Sequence, residues 1–275
     1  VIPAAGWSLL YVLADSSLTT KIRAEIECAF SSKSPDSVDI AKLHACPLLN
    51  SIVSEVLRLN VAVMINRVHI NPSSLSPSLL LKLLIECSLT QTSVIPDLKF
   101  GNYILEEGKL ILSSIYFSHR DISIWNEGCT LLNGQKEHPL DTFWAERFLI
   151  YADDPFSGPV KTPSTPSPPS TPIIDTKTPT PVTTSLISDG QQPKFSLDGL
   201  KGVYIPFGGG TNMCPSRHYA KNEMLLVVAM LLWAFDFELL DLNGVKKTKA
   251  SMSAFPTGTL SPDRENAVRM RRRHG

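Results

Sequence analysis

A mainly α-helical fold carrying small β-sheets, an α+β arrangement, is what this sequence predicts. Three observations carry that reading. Apolar residues recur at helical spacing through Val1–Phe30, Leu48–Leu59 and Arg217–Phe235. Strand-like runs are short and fall between or after those helices, at Val61–Val68, Gly101–Leu112, Phe235–Leu242 and Ala267–Arg271. One glycine-rich turn, Phe207–Gly210, then delivers a cysteine, Cys214, just before the last long helix. With 275 residues, 43% of them hydrophobic, the chain can bury a sizeable core.

The first segment reads as two helices. Leu9, Leu10, Val12 and Leu13 share one apolar stripe, and Ile22 and Ile26 continue it after a break at Asp15–Ser17. That break, Asp15–Ser17, supplies a cap for a second helix from Leu18. Trp7 and Tyr11, one turn apart, are core candidates. The helix Leu48–Leu59 places Glu55 and Arg58 at i, i+3, close enough to pair. Such pairs are also common on solvent faces, so spacing alone assigns them no function. An apolar strand follows and contains Arg67, which by pattern alone is an edge-strand arginine in solvent.

Asn71–Thr92 breaks the pattern. Its Leu79–Ile85 run is almost wholly apolar and reads as an inserted helix or, preferably, as translated sequence of a retained intron. Gly101–Leu105 and Lys109–Leu112 read as strands joined by a hairpin turn at Glu106–Gly108. Pro155–Pro193 holds about half of the 21 prolines, with many Ser and Thr. Too little apolar surface is available there to offset ordering, which predicts a disordered surface insertion. The expected organisation is therefore 1–154, with 71–92 atypical, then the insertion 155–193, then 194–275.

Composition excludes some partners. Basic and acidic residues number 26 each, so there is no electrostatic case for nucleic acid or an anionic membrane. Five cysteines without a C-x-x-C pair form neither a disulfide framework nor a zinc site, which favours a reducing compartment. No run of about 20 apolar residues spans a membrane. The opening inside an apolar helix, at Val1, reads as the C-terminal part of a longer protein.

The cysteine turn carries the chemistry. Glycines allow positive φ and let a flat ligand lie against the backbone. Unpaired N–H groups at a helix start favour a thiolate, the form of sulfur that binds metal. Pro215 suits the first helical position. An ordinary helix start with a small buried residue would look the same by pattern alone. Phe207, Gly210, Cys214, Arg217 and Ala220, however, match F-x-x-G-x-x-x-C-x-G-R-x-x-A, and the turn resembles the haem-binding loop of the cytochrome P450 family. Glu55 and Arg58 match that family's E-x-x-R, and Phe143–Phe148 is similar to its P-E-R-F segment. Ser118–Asp121 is similar to its H-R-D segment, in which His119 is structural.

The resemblance implies the C-terminal part of the cytochrome P450 fold, with haem b as cofactor and Cys214 as the iron's thiolate ligand. Phe207 and Gly210 would shape the loop, and Arg67 and Arg217 would contact the haem. Glu55, Arg58 and Arg147 would form a buried structural network and not a catalytic one. Phe255–Thr259 resembles the turn that closes the substrate pocket, though it reads equally as a surface turn. Partners implied are a small lipophilic substrate and NADPH–cytochrome P450 reductase, at the cytosolic face of the endoplasmic reticulum, with membrane contact only through a part absent from this chain. The wording of Phe195–Leu200 and Gly208–Glu223 resembles fungal members.

Two departures stand out. Ser216 replaces the motif's glycine, and would strain the turn or loosen the haem fit if that position needs positive φ or close helix approach. Ile2 and Pro3 replace the acid and alcohol that pass protons to dioxygen in most members, in a form similar to the sterol 7α-hydroxylase and prostacyclin synthase group. Pro3 is expected to bend its helix and free a carbonyl. A monooxygenase is the favoured expectation. A peroxide isomerase is the alternative, and an inactive truncated product is the third.

Overall fold

Four helices turn their apolar stripes toward one another and build the main core, while short strands close its edges. The computed structural model describes residues 1–30, 38–69, 91–93, 98–100, 102–105, 110–128, 138–161, 192–210, 213–255 and 257–273. For 66–69, 91–93, 98–100, 105, 110, 111, 254 and 257 the description covers the backbone path alone.

Helix α1 (Ile2–Leu13) buries Ala4, Ala5, Trp7, Ser8 and Val12. Pro3 lies in its first turn. Asp15 caps α2 (Ser16–Ile26), its Oδ1 accepting from the Ser17 and Leu18 amides at 2.8 and 3.1 Å. Leu18, Ile22 and Ile26 face inward at four-residue spacing. Asp39 caps the short α3 (Ile40–Ala45) in the same way.

Helix α4 (Pro47–Asn60) is buried from Leu48 through Asn60, polar residues included. Each polar group there consequently needs a partner. Asn50 donates to the Leu43, His44 and Cys46 carbonyls, and Ser51 donates to the Ala145 carbonyl at 2.6 Å. Its N-cap Cys46 offers no side-chain acceptor, and Glu25 of α2 supplies one instead. The two Glu25 oxygens accept from the Leu48 and Leu49 amides at 2.8 and 2.9 Å. Burial raises the Glu25 pKa, and these two donors only partly offset it.

Strand β1 (Val61–His69) continues directly from α4 and organises the largest sheet. It pairs in parallel with β2 (Gln91–Ser93) and antiparallel with β5 (Leu110–Ser114), and its start pairs antiparallel with β9 (Thr257–Thr259). The strands β3 (Leu98–Phe100) and β4 (Tyr103–Leu105) form a separate hairpin. The expected pairing of Gly101–Leu105 with Lys109–Leu112 is thus corrected: β4 folds back on β3, and β5 crosses to β1 with Asn66 opposite Leu112. Thr257–Thr259 is likewise no surface turn but an edge strand on Val61–Val63.

After α5 (Ile115–Ser118), β6 (Leu149–Ile150) meets β7 (Lys194–Phe195). Pro155–Lys161, assigned by composition to the insertion, packs instead of standing off. Gly158 and Pro159 are buried, the Asn126 amide donates to the Pro159 carbonyl at 2.8 Å, and Val160 packs beside Trp125 and Leu200. The remainder of the insertion, 162–191, and the atypical 71–90 stretch lie outside the described residues. The last long helix, α6 (Arg217–Ala234), buries Met224, Leu225, Val228, Ala229, Leu232 and Trp233, with Trp233 stacked on Phe30 at 4.6 Å. Strands β8 (Phe235–Leu239) and β10 (Val268–Arg272) flank α7 (Leu242–Lys247). The molecule is mainly α-helical with small sheets, an α+β fold.

Candidate functional site

The site is built where α4, the segment after α5 and the glycine-rich turn converge. Glu55 and Arg58 project from adjacent turns of α4, and their side chains are fully buried. Arg58 Nε and Nη2 donate to the two Glu55 oxygens at 2.7 and 2.8 Å, a two-pronged carboxylate–guanidinium pair. Its remaining donors reach the His119 carbonyl at 2.8 Å and the Leu140 carbonyl at 2.9 Å. Arg147 Nε donates to Glu55 Oε1 at 3.0 Å and Arg147 Nη1 to the Asn126 carbonyl, while the Trp144 amide adds a further bond to Glu55 at 3.2 Å. Burial would raise the Glu55 pKa, but the two guanidiniums and their hydrogen bonds outweigh it and hold the carboxyl below its usual range. Burial lowers that of Arg147, opposed by Glu55.

This cluster leaves no room for a substrate. Three charges are satisfied by one another and by backbone carbonyls, the condition under which a buried ion network is tolerated. Its part is to join three chain segments: α4, the Trp125–Glu127 turn and the Leu140–Phe148 loop.

His119, a linker that sequence pattern alone does not reveal, extends the network to the cysteine turn. Its Nδ1 lies 3.1 Å from the Arg58 carbonyl, and the Ile205 amide donates to Nε2 at 3.2 Å. An N–H donor on Nε2 requires that nitrogen unprotonated, so Nδ1 carries the proton and the ring is neutral. Burial foremost, with the positive charge of Arg58 and Arg120, pushes its pKa down to about 3 against the pull of the Arg58 carbonyl. Tyr204 locks the neighbouring position, its hydroxyl donating to the Ser54 carbonyl at 3.0 Å and its ring packed on His119, Trp125 and Phe148.

The turn that follows is preset by backbone. Gly208 and Gly210 hold φ of 78° and 72°, where a side chain would be strained. The Cys214 amide donates to the Phe207 carbonyl at 3.0 Å, closing the turn, and Phe207 packs on the main core. A methyl built on Gly208 or Gly209 would meet nothing within 4 Å, so open space lies over both glycines. Cys214 is a free thiol, half-exposed, placed three residues before α6. A soft sulfur donor beside open space against bare backbone fits a flat metal-bearing group ligated through sulfur. Among the described residues no cluster of three His, Cys, Asp or Glu offers a competing metal site.

Arg217 donates from Nη1 to the Cys214 carbonyl at 3.2 Å, so it braces the turn from the first residue of α6. Ser216 has φ of −82° and is exposed. The condition of positive φ, under which a serine in place of glycine would be strained, is not met here. Arg67 lies in β1 opposite Ile111, and its side chain is outside the described residues. Ile2 is 83% exposed at the start of α1, and the buried Ser8 hydroxyl donates back to the Ala4 carbonyl at 3.0 Å.

Comparison with known proteins agrees on one family. The cytochrome P450 family model matches residues 194–264. The chain is 32% identical to the cytochrome P450 monooxygenase fsoE of Humicola fuscoatra, over 99% of this chain and 39% of that protein. It is 34% identical to the cytochrome P450 monooxygenase efuG of Hormonema carpetanum, over 99% of this chain and 41% of that protein. A shorter stretch, 30% of the chain, is 36% identical to the 25-hydroxycholesterol 7-alpha-hydroxylase of Rattus norvegicus. The chain spans about two fifths of the length of the two fungal relatives.

Proposed function

This chain belongs to the cytochrome P450 family, and from that premise we propose that it is the haem-thiolate part of a monooxygenase that hydroxylates a lipophilic substrate. The observation that carries the proposal is the closed turn from Phe207 to Cys214, which presents a free sulfur beside open space against two glycines. Haem b, when bound, supplies the oxidising chemistry, with thiolate ligation favouring O–O cleavage.

The chain's own residues bind and hold. Cys214 is the iron ligand. Phe207 limits the access of water to the sulfur, and amides of the turn soften its charge. Arg67 pairs with a haem propionate, for which a guanidinium is suited. Arg217 keeps the Cys214 carbonyl, and with it the sulfur, in register with α6. Glu55, Arg58 and Arg147 keep α4 against the turn through His119. Electrons come from NADPH–cytochrome P450 reductase, and the working location is the cytosolic face of the endoplasmic reticulum. Among the described residues no helix is long and apolar enough to cross a membrane.

The decisive measurement is the reduced, carbon monoxide-bound difference spectrum of protein purified with haem. A thiolate-type Soret band is expected, and Cys214→Ser should abolish it while leaving far-ultraviolet circular dichroism unchanged. A band that survives Cys214→Ser would refute the ligand assignment. The absence of any band from this chain, with one from the product of a longer transcript, would make this chain an inactive fragment of an active enzyme.

Ile2 and Pro3 favour a second reading, a peroxide isomerase, since neither side chain can pass a proton to dioxygen and the Ser8 hydroxyl is committed to a carbonyl. Turnover that needs NADPH and reductase supports the monooxygenase. Turnover of a peroxide without either supports the isomerase.

A further inference from the structure

Behind the cysteine turn lies a pocket that the proposed function leaves unused. It has a volume of about 210 Å³ and opens to solvent on one side. Val53, Leu57, Leu197, Phe207 and Met213 give it apolar walls, and Lys221 of α6 is its one cationic residue. Cys214 does not line it, although Phe207, Gly208 and Met213 of the same turn do.

Lys221 is an unusual wall residue. It is half-buried, and among the described residues it makes no ion pair. Its ammonium stands 5.4 Å from the centre of the Phe195 ring, a favourable contact but not a neutralising one. Burial, unopposed, lowers its pKa. A lysine on a bare surface would extend into water, whereas this one carries a desolvation cost that an anion in the pocket would remove. An apolar chamber with a single cation calls for an amphipathic anion with one charged end. Size sets the scale: an apolar cavity of about 150 Å³ takes benzene, so this pocket accommodates roughly eight non-hydrogen atoms with a charged end at the mouth.

We propose that this pocket binds a short-chain amphipathic carboxylate of about the size of octanoate, its carboxylate on Lys221 and its hydrocarbon among Val53, Leu57, Phe207 and Met213. The site shares Phe207 and Gly208 with the turn proposed to hold haem but does not include Cys214, so a Cys214 variant reads the two sites separately.

Isothermal titration of the purified chain with octanoate and, in parallel, with 1-octanol tests it. Octanoate should bind saturably with one site and bind tighter than the alcohol. Lys221→Met should weaken octanoate at least tenfold and leave octanol unchanged, which separates the charge from the apolar walls. Met213→Trp, at a half-exposed position, should block both ligands by filling the pocket, with circular dichroism confirming that each variant is folded. Cys214→Ser should change neither affinity, so that failure of haem ligation and failure of this site are read separately. No saturable octanoate binding, equal weakening of octanoate and octanol by Lys221→Met, or binding that Met213→Trp leaves intact would each overturn the proposal.

Discussion

At Glu55 two guanidiniums share one carboxylate in a space with no water-exposed side chain, so removing that single charge isolates the others. Glu55→Gln keeps the shape and deletes the charge, leaving Arg58 and Arg147 buried and uncompensated. The expected loss is roughly 3–5 kcal/mol of unfolding free energy, measured by urea denaturation. Replacing an exposed partner such as Glu238, which pairs with Arg269 at 2.7 Å, has no comparable effect, since surface pairs contribute about 0–1 kcal/mol. His119 adds a pH dependence. Its folded pKa of about 3 lies below the usual value near 6.5, so between these limits the unfolded state binds the extra proton. Stability therefore rises with pH across that window and is lost as pH falls through it. Glu55 acts in the same direction lower down, its contribution present above the ordinary carboxylate range and lost as pH falls through its depressed folded value. Denaturation curves taken at about pH 6 and pH 4 should show His119→Gln with a shallower dependence, by up to about 1.4 kcal/mol per pH unit for the one proton removed. An unchanged slope would place the acid sensitivity elsewhere.

Among the elements, α4 depends most on others. It begins at Pro47 with no cap of its own and borrows one from Glu25, twenty-three positions away from Leu48. Glu25→Ala should lower stability by about 1 kcal/mol, as loss of an N-terminal acceptor does. Glu25→Gln should cost less, because it retains an acceptor and avoids burying a charge. A thermal melt of the two variants orders them, and an equal loss in both would mean that the charge itself holds the helix end. What the sequence disclosed follows the same division between near and far. The spacing of Glu55 and Arg58 and a cap within Asp15–Ser17 are local and were legible. The Arg147 contact came only through family resemblance, and Glu25 as a distant cap gave no local signal. Strand pairing failed for the same reason: Gly101–Leu105 and Lys109–Leu112 look like a hairpin, but register is decided by β1, more than forty positions upstream of Leu110 at its closest partner, Val68. Whether Ser216 is strained turned on φ, which residue type does not fix, and the backbone there has φ of −82°.

Across the whole molecule the first and last segments are tied to one another. Trp7 donates from Nε1 to the Leu260 carbonyl at 2.7 Å, and the Leu260 amide donates to the Asn60 carbonyl at 2.8 Å. The start of the chain, the end of α4 and the edge strand β9 thus meet at one buried point. The cysteine turn inherits that arrangement, since it is fixed by His119 and Tyr204 on one side and by α6 on the other. The turn is held by residues remote in sequence, which is why its motif was readable and its bracing was not.

The packed margins of the proline-rich insertion carry one more consequence. Val160 on the outgoing side and Gly199 on the returning side touch, a methyl on Gly199 falling 3.0 Å from Val160, and the Ser196 amide donates to the Phe148 carbonyl at 2.9 Å. Both margins are thereby anchored in the folded body before the insertion begins and after it ends, so covalent continuity between them adds little to holding the body together. A protease cut within 162–191 should give two bands on a denaturing gel and a single particle of unchanged elution volume on a native sizing column. Separation of the two pieces in native buffer would show that the insertion, and not its anchored margins, keeps the turn bearing Cys214 in place.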